Sequence, residues 1–137
     1  MAHLTAALKE IHDVLVHITD ESTKEDTVVI LVEGRESVYV QFALENRGEA
    51  LYGETVSNVY LDDDEKLSPE QEQRLIASGW KAPDGKEYMN FHRTWRIGDP
   101  RSHDIRTISR EVIRALAEVY NVHDPERLMI EAFEGAH

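Results

Sequence analysis

The sequence predicts an α+β domain with two layers, in which an antiparallel sheet of about four to five strands carries helices on one face. Short alternating or β-branched segments follow one another with brief turns, which indicates neighbouring antiparallel strands. Two longer segments repeat apolar residues at spacings of three and four, so each must cover a sheet face. A chain of 137 residues can bury one sizeable core, and we expect a single domain over residues 1–137.

Two segments near the ends of the chain are predicted to be amphipathic helices, over residues 4–18 and 104–120. Their apolar stripes are Leu4, Leu8, Ile11, Leu15 and Ile18 in the first, and Ile105, Ile108, Val112, Leu116 and Val119 in the second. Each stripe would bury one side of its helix and leave the other side in water.

Three consecutive strands are predicted in the first half of the chain, over residues 27–33, 37–43 and 50–61. The first is apolar on both parities, which suits a strand that is central or covered on both faces. Gly34 and the segment 45–49 supply the two turns, so the three strands form an antiparallel meander.

A short helix over residues 68–78 has signals at both ends. Ser68 is predicted to be the N-cap, Gln71 completes a capping box, and Pro69 takes the first helical position. Gly79 is expected to end the helix, because it can adopt the left-handed conformation that follows many helices.

An acidic run from Asp62 to Glu65 precedes this helix and allows three interpretations: a metal loop, a catalytic carboxylate cluster or a solvated helix entrance. An EF-hand loop needs oxygen ligands at its first, third and fifth positions and a glycine at its sixth. Starting the loop at Asp62 or Asp64 puts Leu67 or Pro69 at the sixth position, so neither register fits. We predict a solvated entrance that faces the positive end of the helix dipole.

The second half of the chain adds a fourth strand over residues 88–97, followed by a loop, GDPRSHD, at 98–104. Residues 124–134 are ambiguous. Asp124 and Pro125 could begin a helical turn, whereas the apolar residues from Leu128 onward alternate as in a strand. We favour a short strand there.

The sequence gives no positive sign of catalysis. It has no cysteine, which excludes a thiol nucleophile and a thiolate zinc site. The seven histidines are scattered singly, and neither a P-loop nor a nucleophile-elbow motif occurs. We therefore predict no enzymatic activity, no catalytic residue, no metal site and no cofactor.

The formal net charge is −12 and the pI is about 4.9. Such a surface repels phosphate backbones and anionic lipids, so we expect neither nucleic acid nor a membrane as partner. It attracts basic segments of other proteins, or it serves solubility alone. The sequence has no apolar stretch of spanning length and no signal-peptide pattern, which favours a cytoplasmic protein.

Arginines are concentrated in one stretch, from Arg93 to Arg114. This stretch holds six arginines and three acidic residues, so its net charge is +3 while the rest of the chain carries −15. Arg106, Arg110 and Arg114 recur every four residues and line one side of the predicted long helix. They form either a solvated flank or a docking strip for an acidic partner or a second copy.

Four of the five tyrosines lie in predicted strands, namely Tyr39, Tyr52, Tyr60 and Tyr88. They share their strand parity with polar residues, so the sheet would have a second face that is rich in tyrosine and half polar. Tyrosine covers a large area and keeps a wet hydroxyl, which suits interfaces. The alternatives are ordinary strand decoration, a dimer through this face, or an extended peptide on a sheet edge.

Four segments stand out in their order and spacing: YVQFA (39–43), GETVSNVYL (53–61), LSPEQEQRLIASGWKAP (67–83) and NFHRTW (90–95). Together they resemble a bacterial family grouped as TY-Chap, whose members are similar to type III secretion chaperones and YbjN-like proteins. The resemblance implies an α+β fold with a curved sheet, a small and often dimeric protein that holds partner segments extended, and no catalytic set.

The resemblance also implies roles for single residues. Gln41, Glu54 and Ser57 are polar positions that a sheet surface could use, together with Asn58. Trp80 would cover the end of the core.

We predict a non-enzymatic, chaperone-like protein of the bacterial cytoplasm that binds a peptide or protein segment as a homodimer. The predicted partner-binding residues are Tyr39, Gln41, Tyr52, Glu54, Asn58, Tyr60, Arg106, Arg110 and Arg114. The alternative is a small-molecule-binding or enzymatic protein with a pocket near His92, Trp95 and the Arg93–Arg114 stretch.

Overall fold

Three helices and five strands follow one another in the computed structural model, which describes residues 2–20, 23–45, 48–97 and 104–135. In chain order they are α1 (Ala2–Ile18), β1 (Thr27–Val32), β2 (Tyr39–Glu45), β3 (Ala50–Thr55), α2 (Pro69–Ala77), β4 (Phe91–Arg96), α3 (Ile105–Glu118) and β5 (Leu128–Phe133). Most of the predicted loop at 98–104 and part of the predicted turn at 45–49 lie outside the described residues.

The five strands form one antiparallel sheet in the order β4-β3-β2-β1-β5. The first four strands are a meander in chain order, and β5 returns from the end of the chain to pair with β1. β1 is therefore a central strand, as its apolar sequence predicts. The predicted α+β class with an antiparallel sheet is confirmed.

The core lies between one face of the sheet and the helices. Alternate strand residues point into it, including Val28 and Ile30 of β1, Phe42 of β2 and Leu51 of β3, all of them fully buried. α1 packs against α3, β1 and β5. The helices contribute a matching set of buried residues: Ile11, Leu15, Ile108, Val112 and Leu116. The predicted stripe of α3 is buried throughout, whereas Leu4 and Leu8 of the predicted α1 stripe are only half-buried.

Two tryptophans join the sheet to the end of α2. Trp95 of β4 meets the edge of Trp80 at a centroid distance of 5.5 Å and an interplanar angle of 89°. Trp95 also lies over Gly53 of the neighbouring strand, where a Cβ atom would come within 2.5 Å of the indole ring. Gly79, at a φ of +111°, ends α2 and directs Trp80 into the core.

α2 has the predicted N-terminus. The Ser68 hydroxyl accepts a hydrogen bond from the Gln71 backbone N–H at 3.2 Å, and the Gln71 side chain accepts one from the Ser68 backbone N–H at 2.7 Å. Ahead of it, residues Asp63–Glu65 form a 3-10 turn in which Glu65 pairs with Arg35 at 2.6 Å. Within the described residues, no group of three or more acidic or histidine side chains is placed to hold a metal ion.

The predicted third strand, 50–61, is too long, because β3 ends at Thr55. Beyond it, the Ser57 backbone N–H donates to the Asn90 side chain at 3.0 Å, and the Ser57 carbonyl accepts from the Tyr60 N–H at 3.1 Å. These local bonds replace the sheet ladder and turn the chain. Asn58 and Tyr60 therefore do not lie in a strand.

Two other boundaries differ from the prediction. β4 starts at Phe91 rather than at residue 88, because Asp84 accepts hydrogen bonds from the backbone N–H groups of Lys86 and Tyr88, both at 2.9 Å, and holds a turn there. The ambiguous segment 124–134 contains both structures that its pattern allows: a 3-10 turn at Pro125–Arg127 and then β5.

Among the described residues, no helix combines the length and apolar character that crossing a bilayer requires.

Tyr120 links the end of α3 to the sheet through its buried hydroxyl, and its replacement by phenylalanine tests this link. The hydroxyl accepts from Thr55 Oγ1 at 2.9 Å and donates to the Val56 carbonyl at 2.6 Å. Y120F leaves both partners buried without it, so we expect a loss of about 1–3 kcal/mol in the free energy of unfolding. Urea denaturation measures this loss.

The matched control is Y60F, because the Tyr60 side chain is 53% exposed. We expect Y60F to change the free energy of unfolding by less than about 0.5 kcal/mol. Equal stability of the two variants would contradict the assigned role of Tyr120.

Candidate functional site

The side of the sheet that faces away from the helices is the open face. Its residues are Val29 and Leu31 of β1, Tyr39, Gln41 and Ala43 of β2, Tyr52 and Glu54 of β3, His92 and Thr94 of β4, and Met129, Glu131 and Phe133 of β5. The strand register aligns them in rows, such as Glu131, Val29, Gln41, Glu54 and His92 across all five strands. Four predicted site residues, Tyr39, Gln41, Tyr52 and Glu54, thus share one surface.

Both tyrosines of this surface are held by hydrogen bonds. Tyr52 Oη donates to Glu54 Oε1 at 2.9 Å, and Asn90 Nδ2 donates to Tyr39 Oη at 2.9 Å. Burial, reinforced by the hydrogen bond to Glu54, raises the pKa of Tyr52 well above the usual range. Burial also raises the pKa of Tyr39. Both hydroxyls are therefore neutral at physiological pH, and both rings are fixed in place.

An aromatic group borders the open face at β4. The Tyr88 ring stacks on the His92 ring at a centroid distance of 3.8 Å. The centroids of the Tyr52 and Tyr88 rings are 6.4 Å apart. A shallow hollow of about 330 Å³ opens beside them, with Glu45 and Lys81 among its lining residues. Arg93 also lines the hollow, so one carboxylate, one ammonium group and one guanidinium give its lining a formal charge of +1.

The other predicted site residues lie elsewhere. Asn58 has a structural role, because its side chain accepts from the Leu67 N–H at 2.7 Å and donates to the Leu67 carbonyl at 3.0 Å. Tyr60 is exposed in the turn after β3. The three arginines Arg106, Arg110 and Arg114 are exposed on α3, in the helix layer. The predicted residues therefore belong to separate surfaces and not to one site.

The alternative pocket requires His92 and Trp95 to converge, and the structure places them on opposite faces of β4. His92 lies on the open face, whereas Trp95 is fully buried among the helices. Arg93 is also turned inward, with its guanidinium 4.4 Å from the Trp95 ring centroid and 3.4 Å from Glu111. Burial lowers the pKa of Arg93, and the charge of Glu111 opposes that shift. Arg93 thus packs against both tryptophans and also lines the shallow hollow beside His92, whereas Trp95 does not line that hollow.

The two edges of the sheet differ, and sequence reasoning missed the edge that is open. At the β4 edge, the Lys81 N–H donates to the His92 carbonyl at 2.8 Å, and the His92 N–H donates to the Lys81 carbonyl at 3.1 Å. This isolated bridge covers part of that edge. At the other edge, β5 pairs with β1 on one side, and no strand of the described residues pairs with its outer side.

The hydrogen-bond pattern identifies the free groups of β5. Thr27 of β1 is opposite Phe133 of β5, and the same register puts Glu33 opposite Arg127. The Glu33 N–H donates to the Arg127 carbonyl at 2.9 Å. Bonded pairs alternate in an antiparallel ladder, so the odd-numbered residues of β5 bond to β1. Ile130 and Ala132 therefore direct their backbone N–H and C=O groups away from the sheet.

Apolar surface flanks the free edge on both sides. On the open face, Met129 is 43% exposed and Phe133 is 39% exposed. On the helix side, a groove of about 490 Å³ runs between α1 and β5, where Ala6, Val14 and Ile130 supply apolar surface and the charged residues Lys9, Glu10 and Asp13 complete the lining. The sequence signal for this edge is LMIEAF, which is apolar at five of six positions. Its position at an edge is not visible from the sequence.

One family model covers almost the whole chain. Residues 3–134 match the family model TY-Chap3, whose description reads "T3SS (YopN, CesT) and YbjN peptide-binding chaperone 3". Neither a curated protein nor a solved structure gives a significant match. The resemblance drawn from the four sequence segments is confirmed, and with it the expectation of a peptide-binding domain. The chain belongs to the TY-Chap3 family of peptide-binding chaperone domains.

Proposed function

We propose that this protein is a non-enzymatic, chaperone-like protein of the bacterial cytoplasm that holds an extended segment of a partner polypeptide at the outer edge of β5. We further propose that it acts as a homodimer through the open face. The single observation that carries the proposal is an edge strand, LMIEAF, that is apolar and has free backbone groups. Proteins usually protect such edges with charged residues, proline or bulges.

Backbone pairing would supply the part of the affinity that does not depend on the partner's sequence. Ile130 and Ala132 each offer one N–H and one C=O to an added strand. Each hydrogen bond formed in this way contributes about 0.5–1.5 kcal/mol, because water is displaced from both groups. The four bonds would not hold a peptide alone, so side-chain contacts must add to them.

Side chains of the added strand would alternate between the two apolar surfaces beside the edge. One parity would enter the groove between α1 and β5, next to Val14 and Ile130. The other parity would lie on the open face against Met129 and Phe133. A partner segment with apolar residues at every second position therefore fits this edge best.

The open face suits self-association for two reasons. Its centre holds half-buried apolar and aromatic residues, with Tyr39 and Tyr52 fixed by hydrogen bonds. Its charges are mixed, since Glu54 and Glu131 lie on it and the strand register places Arg96 in one row with Glu45, although the whole chain has a net charge of −12. Two copies can meet there with little repulsion between like charges.

The bacterial origin, the cytoplasmic location and the absence of catalysis follow from the family and the composition. The family description names chaperones of type III secretion, which favours a bacterial protein. A chain without cysteine is compatible with a reducing cytoplasm. A binding role without catalysis follows the family, whose description is that of a peptide-binding chaperone.

Proline at Ala132 tests the edge. A132P removes one outward N–H and leaves the β1 pairing intact, since Ala132 does not bond to β1. Peptides selected from a phage-displayed library of random decapeptides provide the probe. We expect them to carry alternating apolar residues and to bind A132P about tenfold more weakly, equivalent to about 1.4 kcal/mol. Fluorescence anisotropy measures the affinity.

The matched control is T94P, because Thr94 points its N–H outward at the opposite edge of the sheet. We expect T94P to bind the selected peptides like the wild type. Hydrogen exchange provides a second readout, in which peptide slows exchange at the Ile130 and Ala132 amides. Equal binding by A132P and the wild type, or protection confined to other strands, would refute the edge as the site.

Sedimentation velocity tests the homodimer. We expect the wild type to sediment at about 31 kDa, twice the chain mass of 15.7 kDa. Q41R places a long charged side chain at the centre of the open face, opposite Glu54, which can pair with it in the monomer. A second copy would have to bury this group, so we expect Q41R to be monomeric.

The control for this experiment is T107R, which adds the same charge on the exposed side of α3. We expect T107R to remain a dimer. A monomeric wild type would reject the homodimer, and a dimeric Q41R would reject the open face as its interface.

A further inference from the structure

A groove between α1 and α3 gathers positive charge on an otherwise acidic protein. Its volume is about 350 Å³. The lining residues are Leu8, Lys9, His12 and Asp13 from α1, and Arg106, Ser109 and Arg110 from α3. We call it the basic groove. It lies in the helix layer, separate from the open face of the sheet.

Two arginines supply the charge. Arg106 and Arg110 are exposed one helical turn apart, and neither guanidinium forms an ion pair with a carboxylate in the part of the chain that the structure describes. Asp13 is the one acid in the lining, and it already pairs with Lys9 at 2.5 Å and contacts His12 Nδ1 at 3.3 Å. The groove thus carries a formal charge of +2 before any protonation of His12.

The third arginine of the strip does not belong to the groove. Arg114 lies outside the lining and pairs with Glu118 of its own helix at 3.7 Å. The structure therefore divides the arginines that the sequence places on one helix side. Arg106 and Arg110 lack a carboxylate partner among the described residues, and Arg114 has one.

The floor of the groove favours a side chain with methylene groups. Leu8 contributes apolar surface, and the hydroxyl of Ser109 is occupied by a hydrogen bond to the Ile105 carbonyl at 2.8 Å. A glutamate could lay its stem on this floor and present its carboxylate to a guanidinium. Arginine binds carboxylates in a bidentate, planar geometry, which makes this pairing specific.

We propose that the basic groove binds an acidic stretch of a partner polypeptide, with one carboxylate on Arg106 and a second on Arg110. The net charge of −12 does not prevent this, because charges farther away than about 8 Å are largely screened at physiological ionic strength. A nucleic acid would bring a continuous row of phosphates across the acidic surface beyond the groove, which disfavours it.

That the occupant is a polypeptide rests on the proposed function. The groove beside β5 and the basic groove share two lining residues, Lys9 and Asp13. They are therefore contiguous across α1, and a segment that leaves the β5 edge can continue into the basic groove. A helix is about 10 Å wide, so about three extended residues suffice to cross it.

The test uses a rhodamine-labelled octapeptide of alternating glutamate and serine, and a matched peptide with glutamine in place of glutamate. Anisotropy measures the binding of each to the wild type, to R106Q/R110Q and to R114Q/R127Q. The second double variant loses the same charge at exposed positions outside the groove. We expect R106Q/R110Q to weaken the glutamate peptide by about tenfold or more, and R114Q/R127Q by less than about twofold.

Each other result would overturn the proposal. Equal weakening by the two double variants would show unspecific attraction, and equal binding of the glutamine peptide would exclude carboxylate recognition. If the glutamate peptide does not bind detectably to the wild type, the basic groove is not a site for acidic segments. Loss of self-association in R106Q/R110Q during sedimentation would assign the groove to a second copy.

The two proposals fail separately in these experiments. A132P alters the β5 edge and leaves the basic groove intact, so A132P should bind the glutamate octapeptide like the wild type. The substituted arginines are exposed, and the thermal midpoint of each double variant, followed by circular dichroism, should match the wild type. If the thermal midpoint of a double variant is lower, binding is measured at a temperature below that midpoint. R106K/R110K, which keeps the charge, then serves as the second variant.

Discussion

Backbone N–H and C=O groups must find partners wherever a sheet ends, and the two edges of this sheet meet that requirement differently. At β4, the chain itself covers part of the edge, because Gly79 ends α2 and the chain then brings Lys81 beside His92. At β5, the order of the strands leaves the outer groups to water. This asymmetry follows from the chain path, since β5 arrives last and takes the position beside β1. Among the described residues, one edge is thus partly covered by its own chain, and the outer side of the other pairs with no strand.

The positive charges of the protein also differ in their surroundings. The partly buried cation Arg93 lies against two tryptophans and Glu111. Of the three exposed arginines of α3, Arg114 has a carboxylate partner in its own helix, and the other two have none in the part of the chain that the structure describes. A surface can therefore be acidic as a whole and still offer a local site for an anion, because screening makes the near charges decisive.

Local sequence signals predicted those parts of the fold that depend on local physics. The capping box at Ser68, the apolar stripes of α1 and α3, and the alternation in β2 arise from hydrogen bonds and burial within a few residues, and each is confirmed. The end of β3 was predicted wrongly, since the bond from Ser57 to Asn90 joins residues that are distant in sequence.

The candidate site was harder to predict for the same reason. Strand parity correctly brought Tyr39, Gln41, Tyr52 and Glu54 to one face, but it contains no information about which strand lies at an edge. Pairing between β1 and β5 depends on the packing of α1 against both strands, and this contact spans nearly the whole chain. Asn58 was assigned to the surface because its type and spacing resemble those of strand residues. Its actual partner, Leu67, becomes apparent only in three dimensions.

The burial of both tryptophans has an optical consequence. Trp80 and Trp95 are in edge contact on the helix side of the sheet and are nearly inaccessible to solvent. Their emission therefore reports the integrity of the interior and is insensitive to a ligand at the margin near β5. Intrinsic fluorescence can follow denaturation in the presence of a peptide without interference, while occupancy has to be read from a dye on the peptide.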